Sequence, residues 1–434
     1  MTDCEPSITP AAPLTQVEAL LDRFAHFGVE LGLERIQTLL AGLGNPERQV
    51  PIVHVAGSNG KGSVCAYLSA VLTQAGYRVG RYTSPHLVDW CERISINEEA
   101  IASEVLYSLL QQVTAVISPD QPSPTQFEVF TAAAWLYFAQ QRIDVAVMEV
   151  GLGGRLDATN VCDRPLVSVI TSLSREHWQR LGPTLADIAR EKAGILKAGC
   201  PAVLAPLPPE TETVIHQRLQ ELGCPAIFPS PAIDLGNGWA QYTAPNGSTI
   251  PYPLPLLGAH QLVNSSLAIA TLQILHQQGW HISHQAIVEG MKQTRWPGRL
   301  QWTTWQNRPL LIDGAHNPAG AIALRQYIDS SDRVKPPIQW IIGMIGGKDH
   351  ADILKELLRS GDSLFLVPVP EHTPVDLSQL AELARSICPE LSSCAVFPDE
   401  IAALKATKEG AIVLCGSLYL IGHFLRDRTK SIHA

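Results

Sequence analysis

The sequence predicts an α/β protein with two domains, each built on a largely parallel sheet. The chain has 434 residues, which is more than one hydrophobic core usually organises. Short runs rich in Val and Ile alternate with longer segments of helical period, the pattern of parallel sheets covered by helices. This alternation breaks near residues 296–300 and then starts again, so we expect a second sheet after that point.

Five apolar runs are predicted to be the parallel strands of the first domain. They span residues 52–56, 78–82, 144–150, 166–171 and 201–205. Helical periodicity predicts helices over residues 126–142, 183–199 and 260–279, and Gly199 is a typical residue to follow a helix end. Residues 208–257 are rich in Pro, Gly and Asn, which predicts short strands and loops.

Four further apolar runs predict the smaller second domain. They are "RPLLIDGAH", "IQWIIGMIG", "SLFLVPVP" and "AIVLCGSLYL". We place the boundary between residues 297 and 298, which gives domains 1–297 and 298–434. The first 13 residues carry acids and prolines without an apolar core segment, so we expect a disordered tail rather than a signal peptide.

The composition narrows the class of function. The formal net charge is -9, which gives no basic footprint for a nucleic-acid partner. Nine cysteines without a C-x-x-C pair disfavour a disulfide framework and a structural zinc site. No run reaches the roughly 18 apolar residues that a membrane helix needs. A cytoplasmic enzyme with no membrane partner is therefore expected.

The stretch "IVHVAGSNGKGSVCAYLSAVLTQAGYRVG" (52–80) reads as a strand, a glycine turn and a helix. Backbone N–H groups and a helix N-terminus would meet at the turn, and this geometry favours an anion. Lys61 adds a positive charge and Ser63 a hydroxyl. The spacing differs from the common G-x-x-x-x-G-K-[ST] phosphate loop, so an ordinary strand–helix turn with an exposed lysine is the alternative.

Polar residues follow three other predicted strands of the first domain. They lie in "TSPHL" (83–87), "EVGLGGRLDATN" (149–160) and "REHWQRLG" (175–182), and ligands of open parallel sheets bind at this edge. Glu149 directly follows a buried run, where a carboxylate costs several kcal/mol unless it is paired or bound to a metal. Magnesium suits a carboxylate beside a phosphate loop; a salt bridge to Arg155 or to a neighbouring lysine is the alternative.

Five motifs in order resemble one known family. "HVAGSNGKGS", "TSPHL", "EVGLGGRLDATN", "EKAGI" and "DGAHNP" are together similar to folylpolyglutamate synthase/dihydrofolate synthase, a branch of the Mur ligase superfamily, over nearly the whole chain from about Leu31. The shortened glycine loop is the family's own form. The resemblance implies a two-domain Mur-ligase-like fold, with a P-loop-containing ATPase domain and a smaller Rossmann-like domain.

The resemblance also implies an activity. It is ATP-dependent joining of L-glutamate to a pteroate or folate carboxylate, through an acyl phosphate, by a monomer that uses ATP and two Mg²⁺ ions. The sequence leaves open whether dihydropteroate, folates or both are substrates. The rival hypotheses are a Mur-type ligase of a cell-wall precursor and a nucleotide-binding protein without catalysis.

The same resemblance implies site residues. ATP binding is implied for Ser58, Asn59, Gly60, Lys61, Gly62, Ser63, Asn264, Arg299 and Asp313. Metal binding is implied for Ser84, Glu149, His177 and Lys192, the last as a carbamate. Catalytic roles are implied for Lys61, Lys192 and His316, and substrate binding for Phe127, Glu128, Arg155 and Asp157.

Physical reasoning gives two of these residues another interpretation. Without the family, Lys192 would be a solvated helix lysine, and Glu128 would be a carboxylate that stabilises a helix start. The sequence also departs from the family pattern in two places, with Ser58 for the usual Thr and Glu176 for the usual Asp before His177.

Overall fold

The computed structural model describes residues 14–25, 30–370 and 375–432. Within them the chain forms two large, mainly parallel sheets and one small antiparallel sheet, which confirms the predicted α/β class. The predicted disordered tail, residues 1–13, lies outside the described residues. No helix in the described ranges has both the length and the apolar character needed to cross a membrane.

The first sheet has eight strands. They are β1 (Ile52–Ala56), β2 (Val79–Tyr82), β3 (Ile94–Ile96), β4 (Glu99–Ala100), β5 (Val145–Glu149), β6 (Val167–Ile170), β7 (Ala202–Leu204) and β8 (Ala226–Ile227). Their order is β4-β3-β2-β5-β1-β6-β7-β8; the β2–β3 and β3–β4 pairs are antiparallel and the others parallel. All five predicted strands are confirmed to within one residue at either end.

Helices cover both faces of this sheet. They are α1 (Leu14–Asp22), α2 (Glu34–Gly42), α3 (Lys61–Gln74), α4 (Ser103–Ala115), α5 (Gln126–Gln140), α6 (Trp178–Leu181), α7 (Leu185–Lys192), α8 (Pro209–Leu222), α9 (His260–Gln277) and α10 (His284–Gln293). Side chains of a strand alternate between faces. Val53 and Val55 therefore pack with α3 and α9, whereas Ile52 packs with α4 and α5.

Two predicted segments differ in detail from the structure. The helix expected over residues 183–199 is shorter: α7 ends at Lys192 and a 3-10 turn, Ala193–Ile195, follows it. A side chain on Gly194 would overlap the backbone of Arg155, so the chain must turn compactly there. Residues 208–257 hold helix α8 as well as the short strands expected there, β9 (Ile233–Gly236), β10 (Trp239–Thr243) and β11 (Thr249–Pro253).

The second sheet has six strands. They are β12 (Gln301–Trp305), β13 (Arg308–Ile312), β14 (Ile338–Ile342), β15 (Ser363–Leu366), β16 (Ser393–Val396) and β17 (Ala411–Cys415). The order is β12-β13-β17-β14-β15-β16, and the β12–β13 pair is antiparallel. Its helices are α11 (Pro318–Ser330), α12 (His350–Leu357), α13 (Leu377–Ile387), α14 (Glu400–Ala406) and α15 (Leu418–Ile432). The predicted boundary, 297/298, falls between α10 and β12.

Candidate active site

The glycine loop between β1 and α3 is the centre of the site. Gly57 and Gly60 have φ angles of 151° and 90°, a region that favours glycine. Both are also crowded: an added Cβ would overlap the Thr171 hydroxyl at Gly57 and the Asn264 amide at Gly60. The backbone therefore passes close to β6 and α9, which explains why the loop needs its glycines.

The segment after β6 holds this loop in place. The Ser58 hydroxyl donates to the carbonyl oxygen of Ser174 at 2.9 Å and accepts from its N–H at 3.0 Å. The Asn59 N–H donates to the Ser172 hydroxyl at 3.0 Å, and the Thr171 hydroxyl donates to the Asn59 carbonyl at 2.7 Å. Ser58 thus makes the contacts of a loop hydroxyl although the family usually has Thr there.

Lys61 and Ser63 begin helix α3. The Lys61 ammonium donates to the carbonyl oxygens of Gly57 at 2.9 Å and Ser58 at 3.2 Å, so it lies over the loop. Gln261, a residue that the sequence reasoning missed, donates to the Ser63 hydroxyl at 3.2 Å and accepts from the Asn264 amide at 3.1 Å. Two side chains of helix α9 therefore contact this region: Gln261 contacts Ser63, and Asn264 lies against Gly60.

Glu149 ends strand β5 beside this loop. Only 4% of the residue is exposed, and its Oε2 atom is buried without a hydrogen-bond partner. Burial raises the pKa of Glu149 to about 7, while the charge of Lys61 and the backbone N–H of Ser84 act in the opposite direction. Arg155 pairs with Glu191 instead, at 2.8 Å, so the Arg155 alternative for Glu149 is wrong.

Lys192 is 1% exposed, so its interpretation as a solvated helix lysine is also wrong. Its ammonium donates to Glu176 at 2.7 Å in a buried ion pair. Burial lowers the pKa of Lys192. Burial alone would raise the pKa of Glu176, but the Lys192 charge brings it down to about 2. Glu176, where the family has Asp, is therefore the ionised partner of Lys192.

Three residues reach the same space from the second sheet. The Asp313 carboxylate accepts N–H groups of Leu300 and Ala315, both at 2.8 Å. The His316 Nδ1 atom lies 2.9 Å from the Gly314 carbonyl, which can only accept, so Nδ1 carries the proton. Burial and nearby cations lower the pKa of His316 to about 3, which leaves Nε2 with a lone pair at neutral pH. Arg299 lines the cavity close to Gly314.

One cavity joins the two sides. It has a volume of about 670 Å³ and lies between the first and second sheets. The predicted site residues that line it are Ser58, Asn59, Gly60, Lys61, Gly62, Ser63, Ser84, Glu149, His177, Lys192, Asn264, Arg299, Asp313 and His316. His177 is exposed at its edge.

The four predicted substrate-binding residues do not line this cavity. Asp157 accepts hydrogen bonds from Leu152 and Thr159, and Arg155 pairs with Glu191 outside the cavity. Glu128 forms the capping box of α5 with Thr125 and a salt bridge with Arg35, which is the helix-start role. Phe127 packs against Gly151, which does line the cavity. Substrate binding by these residues stays a prediction.

The residues around Glu149 suit a hard cation. Among the described residues, no three His, Cys, Asp or Glu side chains form a cluster that could hold a metal ion. An all-protein cage is not required, because Mg²⁺ commonly takes one or two carboxylates together with substrate phosphates and water. The buried Glu149 Oε2 atom without a partner, close to the Ser84 backbone N–H and in the same cavity as the glycine loop, fits that mode of binding.

Comparison with known proteins agrees with this geometry. The Mur ligase middle domain family matches residues 55–272, and the dihydrofolate synthetase C-terminal domain matches residues 299–427. The Bacillus subtilis dihydrofolate synthase/folylpolyglutamate synthase is 33% identical over 424 residues, 93% of this chain and 96% of that protein.

Two solved structures are similar over nearly all of the chain. Mycobacterium tuberculosis folylpolyglutamate synthase complexed with ADP has a TM-score of 0.85 at 30% identity and covers 96% of this chain and 98% of its own. Escherichia coli FolC in complex with DHPP and ADP has a TM-score of 0.83 at 30% identity and covers 98% of this chain and 100% of its own.

A phosphate-type loop on one sheet, facing a second sheet across a shared cavity, defines an ATP-dependent ligase of the Mur type. The match covers both parts of the chain and all of the site segments described above. The chain belongs to the folylpolyglutamate synthase/dihydrofolate synthase family.

Proposed function

We propose that the chain adds L-glutamate to dihydropteroate, to folyl (poly)glutamates, or to both, with conversion of ATP to ADP and phosphate. The observation that carries this proposal is the single cavity lined by the glycine loop, by Glu149 and by Asp313 and His316 of the second sheet. The names of the relatives support the substrates, and the ADP-bound relatives support the nucleotide.

The chemistry requires activation of a carboxylate. The acceptor carboxylate attacks the γ-phosphorus of ATP and forms an acyl phosphate, with ADP as the leaving group. The glutamate amine then attacks the acyl carbon, and a tetrahedral intermediate expels phosphate. Such a reaction needs neutralisation of developing negative charge more than it needs a covalent nucleophile. Lys61 and the loop N–H groups supply positive potential at the phosphates.

Residues of the second sheet complete this arrangement. Arg299 brings a guanidinium to the same cavity, and Asp313 is held by two backbone N–H groups. The neutral His316 has an unprotonated Nε2 atom, which can accept a hydrogen bond from the amine that attacks the acyl carbon. Closure of the two domains over the substrates would also exclude water, which would otherwise hydrolyse the acyl phosphate.

Two Mg²⁺ ions belong to this proposal. Ser84, Glu149, His177 and Lys192, the last as a carbamate, would hold them. Bound Mg²⁺ supplies charge neutralisation on the phosphates. The Lys192 ammonium cannot ligate a cation, so a carbamate at Lys192 would have to replace its contact with Glu176.

A reducing, cytoplasmic location is also part of the proposal. The eight cysteines that the structure describes are free thiols, as that compartment favours.

A substrate panel tests the proposal. Purified protein receives ATP, Mg²⁺ and L-glutamate with either dihydropteroate or tetrahydrofolate, and ADP release and product mass are measured. The expected result is ADP release that needs both the pterin and glutamate, with product heavier by one glutamyl residue. The Lys61→Met variant, which keeps the helix start but lacks the charge, is the inactive control.

Two outcomes would contradict the proposal. No activity on either pterin, together with activity when a cell-wall precursor replaces the pterin in the panel, would identify the Mur-type rival. ATP binding without turnover under any pairing of substrates would identify the non-catalytic rival. The order of activity on dihydropteroate and tetrahydrofolate decides which of the two family reactions dominates.

A further inference from the structure

Asn317 joins the second sheet to the glycine loop of the first. It precedes α11, and its Nδ2 atom donates to the Asn59 Oδ1 atom at 3.0 Å. The two residues are 258 positions apart in sequence. Asn59 receives its other contacts from the segment after β6, which belongs to its own sheet. The Asn317 amide is therefore a separate support, from the opposite side of the cavity.

The orientation of the Asn317 amide is fixed by its second role. Asn317 is the N-cap of α11, with φ −141° and ψ 164°, and its Oδ1 atom accepts the N–H of Gly320 at 2.7 Å. An N-cap oxygen satisfies one of the free N–H groups at a helix start. Because Oδ1 is taken, Nδ2 must point away from the helix, and it points at Asn59. Asn317 is only 5% exposed, so water does not compete freely for this bond.

The contact is one step in a longer chain of hydrogen bonds. The α11 backbone donates to Asn317, Asn317 donates to Asn59, and the Asn59 Nδ2 atom donates to the Ser174 hydroxyl at 3.2 Å. Successive hydrogen bonds in a partly buried site polarise and strengthen one another. Ser174 in turn holds Ser58. The helix start of the second sheet is thus connected to both residues that precede Gly60.

We infer that Asn317 is a positioning residue that holds the glycine loop in its nucleotide-binding geometry through Asn59. The inference deepens the proposed function and rests on its nucleotide site. The bond exists only while the two sheets face each other at their present distance, so their approach and the order of the loop are linked. Residues 313–317 carry both Asp313, which lines the cavity, and Asn317, which supports the loop.

The test uses Asn317→Ser. Serine caps a helix as well as asparagine does, but its side chain is too short to reach Asn59. The melting temperature should stay close to that of the wild type, whereas the Kd for ADP and the KM for ATP should rise roughly tenfold, the size expected when one hydrogen bond that orders the loop is lost. The KM for glutamate should change less than about twofold.

Two controls separate loop positioning from helix capping. Asp399 is the N-cap of α14 and does not line the cavity; Asp399→Ser exchanges one cap for another and should leave ADP affinity unchanged. Asn317→Ala removes both the cap and the bridge, so it should add a loss of melting temperature to the loss of ADP affinity.

A double-mutant cycle gives the decisive measurement. Asn59→Ala removes the same bond from the loop side and leaves the α11 cap intact, so it also serves if Asn317→Ser folds poorly. Adding Asn317→Ser to Asn59→Ala should weaken ADP binding no further. Wild-type ADP affinity in Asn317→Ser, or effects of the two variants that multiply, would overturn the inference. Because ADP binding is measured apart from turnover, failure of the proposed ligase reaction in the wild type remains a distinguishable result.

Discussion

The first domain contains two carboxylates that are both buried but have different surroundings. Glu128, at the start of α5, is 2% exposed and accepts hydrogen bonds from Thr125 and Arg35. Glu149, at the end of β5, is 4% exposed, and one of its oxygens has no partner. The region around Glu128 is closed and internally satisfied, whereas the region around Glu149 opens into the cavity.

The contrast shows how to separate structural from functional buried charge. Folding tolerates a buried charge when neighbouring donors replace water, as the Thr125 and Arg35 groups do at Glu128. A buried carboxylate oxygen without a donor destabilises the fold, and it persists where a ligand supplies the missing partner. The Oε2 atom of Glu149 that has no partner is therefore the stronger sign of function, although both residues are almost equally hidden from solvent.

The largest expected effect is on activity in Glu149→Gln. Glutamine keeps the size of the side chain but removes the charge that would hold the metal. We expect kcat to fall roughly 10²- to 10³-fold, the loss typical when one preorganised electrostatic group is removed. Steady-state ADP release with pterin and glutamate measures it. Glu128→Gln is the matched control, and wild-type turnover in Glu149→Gln would return Glu149 to a structural role.

The next effect is on the pH dependence of stability. Burial raises the pKa of Glu149 from 4.5 to about 7, so the folded protein holds this proton to a higher pH than the unfolded chain does. Stability from this group therefore falls as pH rises from 4.5 to about 7 and stays low above that range. A shift of this size corresponds to about 3 kcal/mol.

The Glu149→Gln variant has no carboxyl group at this position, so its stability should not fall with pH in this way. Its free energy of unfolding relative to the wild type should improve by about 3 kcal/mol between about pH 5 and about pH 8. Urea denaturation without nucleotide or Mg²⁺ measures the change. A difference between variant and wild type that does not vary with pH would mean that Glu149 has an ordinary pKa. Added Mg²⁺ should stabilise the wild type at high pH and not the variant.

Much of this fold could be predicted because its central strands are buried on both faces. Such strands appear in sequence as unbroken apolar runs, and β1, β5 and β6 were located to within one residue. Strands β12 and β16 were missed because they lie at the sheet edges, where partial exposure weakens the apolar pattern. The two-residue strand β4 is too short to give any pattern.

The site was only partly predictable for a related reason. Glycine spacing and polar residues after strands are local signals, so the loop and Glu149 could be found from them. Arg299, Asp313 and His316 were implied only by the family resemblance. The pairing of Lys192 with Glu176 depends on burial, which the sequence does not give. Gln261 and Asn317 act across 198 and 258 residues, and nothing near either of them in the sequence marks that role.

The smallest expected effect is on stability when Glu128, whose carboxylate already has hydrogen-bond partners, is replaced. Glu128→Gln keeps the capping box, because Gln can replace Glu at that position, but it removes the charge that faces Arg35. We expect the free energy of unfolding to fall by about 1 to 2 kcal/mol, in the range for a hydrogen bond to a charged group. Glu128→Ala should cost more, because the reciprocal bond to the Thr125 N–H is lost as well.

Kinetics of the same two variants decide between the two interpretations of Glu128. If its role is structural, the KM for the pterin substrate stays unchanged in the folded protein, and only stability falls. If Glu128 contacts the pterin, as the family resemblance implies, that KM rises in Glu128→Gln by more than the loss of stability explains. A rise in KM with unchanged stability would show that a carboxylate with all its partners inside the protein can still bind substrate. The presence or absence of such partners would then not distinguish Glu128 from Glu149.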